Sequence, residues 1–487
     1  MFAFCIAELE SGRIVLGRDR LGIKPLYIAR TPGALRFASS LPALLAGGGI
    51  DTEIDDVALH HYLTFHSVVP APRTILRGVS RLPAATVLTV EPDGREAVTE
   101  YWHPRFARRD EDVAMDADEW SEAVLDCLRA AVRRRLTADV PVGVLLSGGL
   151  DSSLIVALLA EAGRRPQTFS IGFETAGPAR RTARRVRNAI IRKPRDAAWD
   201  EFRYSDEIAR RFQTDHHRIR LPARRLFDAL PDAVAAMSEP MLSMDIVAWF
   251  LLSQEVSAHV KVVQSGQGAD EIFGGYHWYP PLLAESGTGA AAYASVFFDR
   301  SHAALEALLT PEHLPPGDPS GEFVERHFAQ SGADTALDRA LRIDTRCMLT
   351  DDPLKRVDNM TMAWGVEARL PFLDHELVEL AAACPPQLKI AHGGKGVLKQ
   401  AARQLLPATV IDRPKGYFPV PGLTRLGPHY VELFREALES GAARTRGLFR
   451  RDYVDRLLAD PNAELTPMGI NLLSQIALLE LWLQAHV

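Results

Sequence analysis

Residues 142–153 read Val142-Gly143-Val144-Leu145-Leu146-Ser147-Gly148-Gly149-Leu150-Asp151-Ser152-Ser153, and an apolar helix pattern from Leu154 to Leu159 follows. An apolar strand that ends in a Ser/Gly loop and runs straight into a helix constrains the fold more than anything else in the chain. Two glycines let the backbone approach a ligand closely. The loop and the first helical turn offer several unpaired N–H groups, and the helix dipole favours negative charge there. The segment therefore reads as an anion site at the carboxyl end of a sheet strand. It is not a Walker A loop, because no Gly-Lys-Ser/Thr follows. The plain alternative is a Gly/Ser connection in an ordinary α/β sheet.

The chain has 487 residues, enough for two or three domains. At 47% hydrophobic and 24% charged it has the composition of a globular protein with a large core. No apolar run is long enough to span a bilayer, so no membrane partner is expected. The first residues, Met1-Phe2-Ala3-Phe4-Cys5-Ile6, show no basic region or cleavage site, so no signal peptide is expected. A net charge of −6 argues against a general nucleic-acid binder. Cys5, Cys127, Cys347 and Cys384 form no Cys-x-x-Cys pair, which fits a reducing cytoplasm better than a disulfide or thiolate–metal framework.

Along the chain the pattern changes once. Residues 1–30 alternate in short runs separated by Gly12, Gly17 and Gly22 and read as antiparallel strands, residues 35–45 read as strand then short helix, 57–65 as a helix, and 82–90, ending in the turn Pro92-Asp93-Gly94, as a further hairpin. Tyr101-Trp102-His103-Pro104 reads as an exit into a linker. A helix over 120–136 then leads to the strand of the Ser/Gly loop. Strands over 168–173, 217–221 and 260–264 alternate with helices, the signature of a parallel sheet. From about Arg342 the chain reads as mostly helical. The expected boundary divides residues 1–104 from 105–487.

A stretch at 177–196 breaks this pattern. Arg180, Arg181, Arg184, Arg185, Arg187, Arg192, Lys193 and Arg195 occur with no acid until Asp196. A solvated segment, a phosphate or nucleic-acid contact, and a local reading-frame error are the three readings.

A second strand-to-glycine-loop junction follows the apolar residues 260–263: Ser265-Gly266-Gln267-Gly268-Ala269-Asp270-Glu271-Ile272-Phe273-Gly274-Gly275-Tyr276. In a parallel sheet, ligands gather at the carboxyl ends of strands. One loop offering N–H donors and another offering carboxylates can share a triphosphate and its magnesium, with Asp151 and Asp270 as the metal carboxylates. The alternative is that Asp270 and Glu271 merely cap a helix. A third block, Asp351-Asp352-Pro353-Leu354-Lys355-Arg356-Val357-Asp358-Asn359-Met360, precedes Gly365-Val366-Glu367-Ala368-Arg369-Leu370-Pro371-Phe372-Leu373-Asp374, where Arg369 needs a partner so close to an apolar run. In the fourth, Gly394-Lys395-Gly396, a lysine at a helix start can reach departing phosphate oxygens, or is simply a surface residue.

Together these blocks, with Gly17-Arg18-Asp19-Arg20-Leu21-Gly22-Ile23-Lys24-Pro25-Leu26-Tyr27, resemble the glutamine-dependent asparagine synthetase family, class B type, over essentially the whole chain. Pro70-Ala71-Pro72-Arg73-Thr74-Ile75 and the 265–270 block look most like its N-acetylglutaminylglutamine amidotransferase branch. The resemblance implies a multi-domain α/β protein. Its first part is an antiparallel-sheet N-terminal-nucleophile-type glutaminase domain, here partial. Its second is a parallel-sheet ATP-pyrophosphatase domain with a helical C-terminal part. It implies ATP and Mg2+, a small-molecule carboxylate acceptor, and glutamine or ammonia as nitrogen source, with a homodimer as an open expectation.

By the same resemblance, Leu145, Ser147, Gly148, Gly149, Asp151, Ser152, Ser153, Ile171, Ser265 and Gly266 serve ATP, Asp151 and Asp270 hold Mg2+, and Lys395 meets pyrophosphate. Gln267 faces the activated carboxylate, and Asp352 and Arg356 lie on the acceptor side.

Two departures qualify the resemblance. The family's N-terminal cysteine nucleophile and glutamine pocket have no counterpart here, and Cys5 reads as a small buried hydrophobe in a strand. Ammonia is therefore expected to support amide formation where glutamine does not. Gln267 stands where asparagine synthetases usually carry an acid, which favours a blocked dipeptide over aspartate. Rival readings are an ammonia-dependent synthetase, a β-lactam-synthetase-like ring closer, and a catalytically dead regulatory or scaffold protein.

Overall fold

A computed structural model describes residues 1–174, 202–243, 245–285, 287–413, 425–467 and 469–487. The arginine-rich run at 180–195 lies outside the described residues.

The short alternating runs at the start form seven strands: β1 (Ala3–Ala7), β2 (Ile14–Arg18), β3 (Tyr27–Thr31), β4 (Ala34–Ala38), β5 (Val79–Arg81), β6 (Thr86–Val90) and β7 (Glu96–Glu100). They build two antiparallel sheets, in the orders β1-β2-β6-β7 and β4-β3-β5. Leu16, Leu26, Ile28, Leu82, Leu88 and Val90 fill the space between them. Cys5 is only half-buried in β1, so it is not the fully enclosed hydrophobe expected.

The helix Asp56–Thr64 begins at Asp55, whose side chain accepts from Ala58 N at 2.9 Å. The helix Ala117–Arg134 starts with a reciprocal cap. Asp116 accepts from Asp118 N and Glu119 N, and Glu119 accepts from Asp116 N. Trp120, Val124, Leu128, Ala131 and Val132 recur at helical spacing and are all buried.

The second part is organised by five parallel strands, β8 (Val142–Leu145), β9 (Gln167–Glu174), β10 (Asp215–Pro222), β11 (Val262–Gln264) and β12 (Glu367–Arg369), in the order β10-β9-β8-β11-β12. The alternating β and α pattern is thus borne out. The helix Leu150–Glu161 is apolar on every side, with Leu154, Ile155, Val156, Leu158 and Leu159 at most 1% exposed. Burying each is worth about 1.5–3 kcal/mol, so its start cannot drift relative to the sheet.

The later chain is mostly helical, as expected, with two details the sequence did not show. Helices dominate well before Arg342, at Ala290–Phe297, His302–Leu308 and Pro319–Ala329. And β12 lies inside the stretch read as helical. Three residues are too few to show a period, and only pairing with β11 makes them a strand.

Strand order positions the site. From β8 the chain moves outward to β9 and β10, then returns to the other side of β8 to form β11 and β12. The gap between β8 and β11 is therefore the topological switch point, where crossovers diverge and leave a crevice at the strand carboxyl ends. Both Ser/Gly loops open there.

Candidate active site at the sheet switch point

The loop after β8 is held by its own side chains. Ser147 Oγ accepts from Gly149 N at 3.3 Å and lies 3.1 Å from Ser152 Oγ. Ser170 of β9 donates to Leu146 O, and Leu146 N donates to Phe169 O at 2.8 Å. Leu145 and Ile171 thus stand near the carboxyl ends of adjacent strands, Leu145 paired with Phe169. Gly148 has φ +69°, and a Cβ there would lie 2.5 Å from Ser205 N. Only glycine suits both the left-handed conformation and that gap. Gly149 is the N-cap of the helix, with Asp151, Ser152 and Ser153 in its first turn. Among the described residues the Ser153 hydroxyl is buried without a hydrogen-bond partner.

The loop after β11 lies directly against this turn. A Cβ on Gly266 would come 2.8 Å from Asp151 Cβ and 3.0 Å from Ser152 N. Ser265 is buried, its N–H donating to Arg369 O at 2.9 Å. Gln267 is half-buried in the turn that enters the helix Ala269–Phe273. That helix has Gly268 as N-cap and no side-chain cap. Capping therefore does not explain its acids: Asp270 pairs with Lys395, and Glu271 accepts from Tyr276 Oη at 2.6 Å.

Lys395 joins the two loops. Its Nζ is 2.7 Å from Asp151 Oδ2 and 3.0 Å from Asp270 Oδ1. Burial alone would lower its pKa, but the two carboxylates outweigh that and raise it, so the ammonium stays charged. A side chain on Gly275 would overlap both Asp270 Oδ1 and Lys395 Cε. The cradle closes only because that residue is glycine. Asp151 and Asp270 converge on a space that already holds one positive charge, so this donor set fits a divalent cation bound with a polyphosphate.

Asp352 and Arg356 do meet, in an ion pair, and Arg356 also reaches Asp245 Oδ2 at 3.3 Å. Burial pushes the Asp245 carboxyl up, with Arg356 opposing. Tyr276 feels the charges of Glu271, Asp270 and Asp352, which puts this cluster beside the Lys395 cradle. Arg369 finds its partner in Glu367, at 2.8 Å, and also donates to Arg135 O and Thr137 O.

Two residues escaped the sequence reading. Arg413 stacks over the Tyr204 ring at 4.2 Å and donates to Gly148 O at 3.3 Å. Asp245 shares Arg356 with Asp352. Neither sits in a glycine-rich or patterned segment, so no local signal marks them.

Residues 123–484 match the asparagine synthase family, and residues 1–102 match the glutamine amidotransferase domain. The chain belongs to the asparagine synthase family. Glutamine-hydrolysing asparagine synthetase 1 of Bacillus subtilis is 28% identical over 497 residues, covering 95% of this chain and 74% of its own. A Mycobacterium tuberculosis protein named as a glutamine-hydrolysing asparagine synthetase is 32% identical over 459 residues, 86% of this chain and 67% of its own. Asparagine synthetase B of Escherichia coli is 28% identical over 431 residues, 86% and 60% respectively. Membership makes the chain an ATP-dependent ligase of the amidotransferase class, which favours the enzyme reading over a scaffold. No helix among the described residues is long and apolar enough to cross a membrane.

Proposed function

We propose that this asparagine synthase family member adenylates a small-molecule carboxylate with ATP and then amidates it, and that the acceptor is a blocked dipeptide such as N-acetylglutaminylglutamine. The reading divides the chain into a glutaminase-type part, 1–104, and a synthetase part, 105–487, working in the cytoplasm, with a homodimer as its assembly. The observation that carries it is the convergence of Asp151, Asp270 and Lys395 between two glycine loops at the sheet switch point.

In this mechanism an acceptor carboxylate oxygen attacks the α-phosphorus of ATP. A C–O–P linkage forms, the Pα–O–Pβ bond breaks, and pyrophosphate leaves with the electron pair. Ammonia then attacks the acyl carbon, the C–O bond to AMP breaks, and the nitrogen gives up a proton. The loop N–H groups with Ser147, Ser152 and Ser153 hold phosphate oxygens, and Leu145, Ile171, Ser265 and Gly266 border the nucleotide. Asp151 and Asp270 would hold Mg2+, which when bound supplies charge neutralisation on the phosphates. Lys395, kept cationic by its surroundings, balances charge on the departing pyrophosphate.

Gln267 supports the dipeptide. An amide offers one donor and one acceptor set, suited to an uncharged N-acylated backbone, whereas a carboxylate would attract the free amine of aspartate. The names of the relatives favour the second reading, aspartate as acceptor. A side-by-side ATP–pyrophosphate exchange assay separates them. N-acetylglutaminylglutamine is expected to stimulate exchange more than aspartate, and Gln267→Glu is expected to narrow the difference. Aspartate clearly outperforming the dipeptide would return the protein to plain asparagine synthesis.

A further inference from the structure

Away from the switch-point loops, three metal-ligating side chains converge where the helix Asp56–Thr64 packs against the helices His302–Leu308 and Pro319–Ala329. His60 Nε2 lies 3.0 Å from His302 Nδ1 and 3.8 Å from Asp318 Oδ1, and all three donor atoms fall within 4.8 Å of one another. We propose that His60, His302 and Asp318 form a zinc site that clips the amidotransferase-matched part of the chain to the synthase-matched part.

The spacing suits a tetrahedral ion. Bonds of about 2.0–2.1 Å put neighbouring ligands about 3.3 Å apart, between the two measured separations. The surroundings supply the outer contacts that such sites need. His60 Nδ1 is 2.8 Å from Ser320 Oγ, a contact that holds the ring with its Nε2 edge toward the cluster. His302 has its other nitrogen 3.7 Å from the Glu306 carboxylate, the arrangement that orients and strengthens a ligating imidazole. Asp318 caps its helix by accepting from Gly321 N at 2.9 Å, so its carboxylate is in place before any ion arrives. His60 is fully buried. Asp318 is 40% exposed, which leaves a water-accessible fourth position.

Two imidazoles and one carboxylate select a first-row ion over Mg2+ or Ca2+, which prefer all-oxygen shells. The rival arrangement is metal-free, with the two rings sharing one N–H···N bond.

The test uses the full chain, stripped with a chelator and dialysed against micromolar zinc without nucleotide. Bound metal is measured by elemental analysis and melting temperature by thermal shift. Wild type and Asp270→Asn are expected to take up one equivalent and melt higher, while magnesium gives no such gain. His302→Gln is expected to lose more than about tenfold in zinc affinity, since even outer contacts of such sites are worth 10–100-fold. His302 is half-buried at a helix start, so the variant should fold. Should it not, Asp318→Asn reads the same loss while keeping an oxygen to cap the helix. Wild type that binds no zinc, or folded variants that bind it undiminished, would overturn the site. Because no ATP or acceptor is present, failure here leaves the proposed reaction untouched, and the reverse holds too.

Discussion

Lys395 shows how one residue takes its meaning from distant partners. It begins the helix Gly396–Ala402 from a left-handed backbone, φ +57°, which a lysine adopts only when its surroundings hold it there. Its partner Asp151 is 244 residues away. The Ser/Gly loop was legible because glycines, hydroxyls and a following apolar helix are neighbours in sequence. The Lys395 cradle was legible only as a lysine at a helix start, since its charges come together through the sheet. Asp151→Asn removes one of the two carboxylates while leaving Asp270 to pair with Lys395, so the fold should persist. Pyrophosphate exchange should fall by about 10²-fold, the scale of losing one preorganised electrostatic contact. Unchanged exchange would remove Asp151 from the site. Gly148→Ala attacks the same loop sterically. The left-handed backbone and the clash with Ser205 N together should lower stability by about 1–3 kcal/mol, read as a drop in urea midpoint.

At the scale of elements, long helices and buried strands follow from periodicity, but short elements do not. β12 exists because β11 offers it an edge, and Arg369 can sit at its end because Glu367 and two backbone carbonyls take its charge. The sequence predicts a helix over 57–65, with nothing to show that His60 and His61 of the helix Asp56–Thr64 are buried. Both are buried, and both reach Ser320 Oγ, at 2.8 and 2.9 Å. Burial first, then the neighbouring His60, Arg73 and Arg326, lowers the His61 pKa from 6.5 to about 3. The folded state therefore refuses a proton that the unfolded chain accepts below pH 6.5. Stability from this group is present above pH 6.5 and is lost as pH falls from there toward 3. His61→Gln, which keeps a side-chain hydrogen bond to Ser320 possible, should flatten stability against pH between 6.5 and 4.5 by about one proton, or ~1.4 kcal/mol per pH unit. Equal slopes for wild type and variant, from urea unfolding at several pH values, would show that His61 is not held neutral.

For the whole molecule, the decisive contacts lie between the antiparallel sheets and the helices beyond the parallel sheet, and they are charged. Arg81 at the end of β5 is 2% exposed and forms ion pairs with Glu239 and with Asp351 Oδ1, the latter at 2.8 Å. Tyr27 donates to Glu239 at 2.9 Å, and Lys24 reaches Asp358 at 2.7 Å. Burial raises the Asp351 carboxyl and Arg81 opposes it. The sequence does not show the partner of Asp351, because Arg81 belongs to the other part of the chain. Such a network contributes little net stability over an apolar contact of the same shape, yet breaking one member strands the others. Arg81→Met would leave two buried carboxylates facing each other. It should cost about 3–5 kcal/mol, enough to split urea unfolding into separate steps for the two parts. The triple variant Arg81→Met/Glu239→Gln/Asp351→Asn removes the stranded charges and should recover more than half of that loss. If both variants unfold as wild type does, apolar packing alone joins the two parts. If only the single variant is weakened, charge matching selects how they dock.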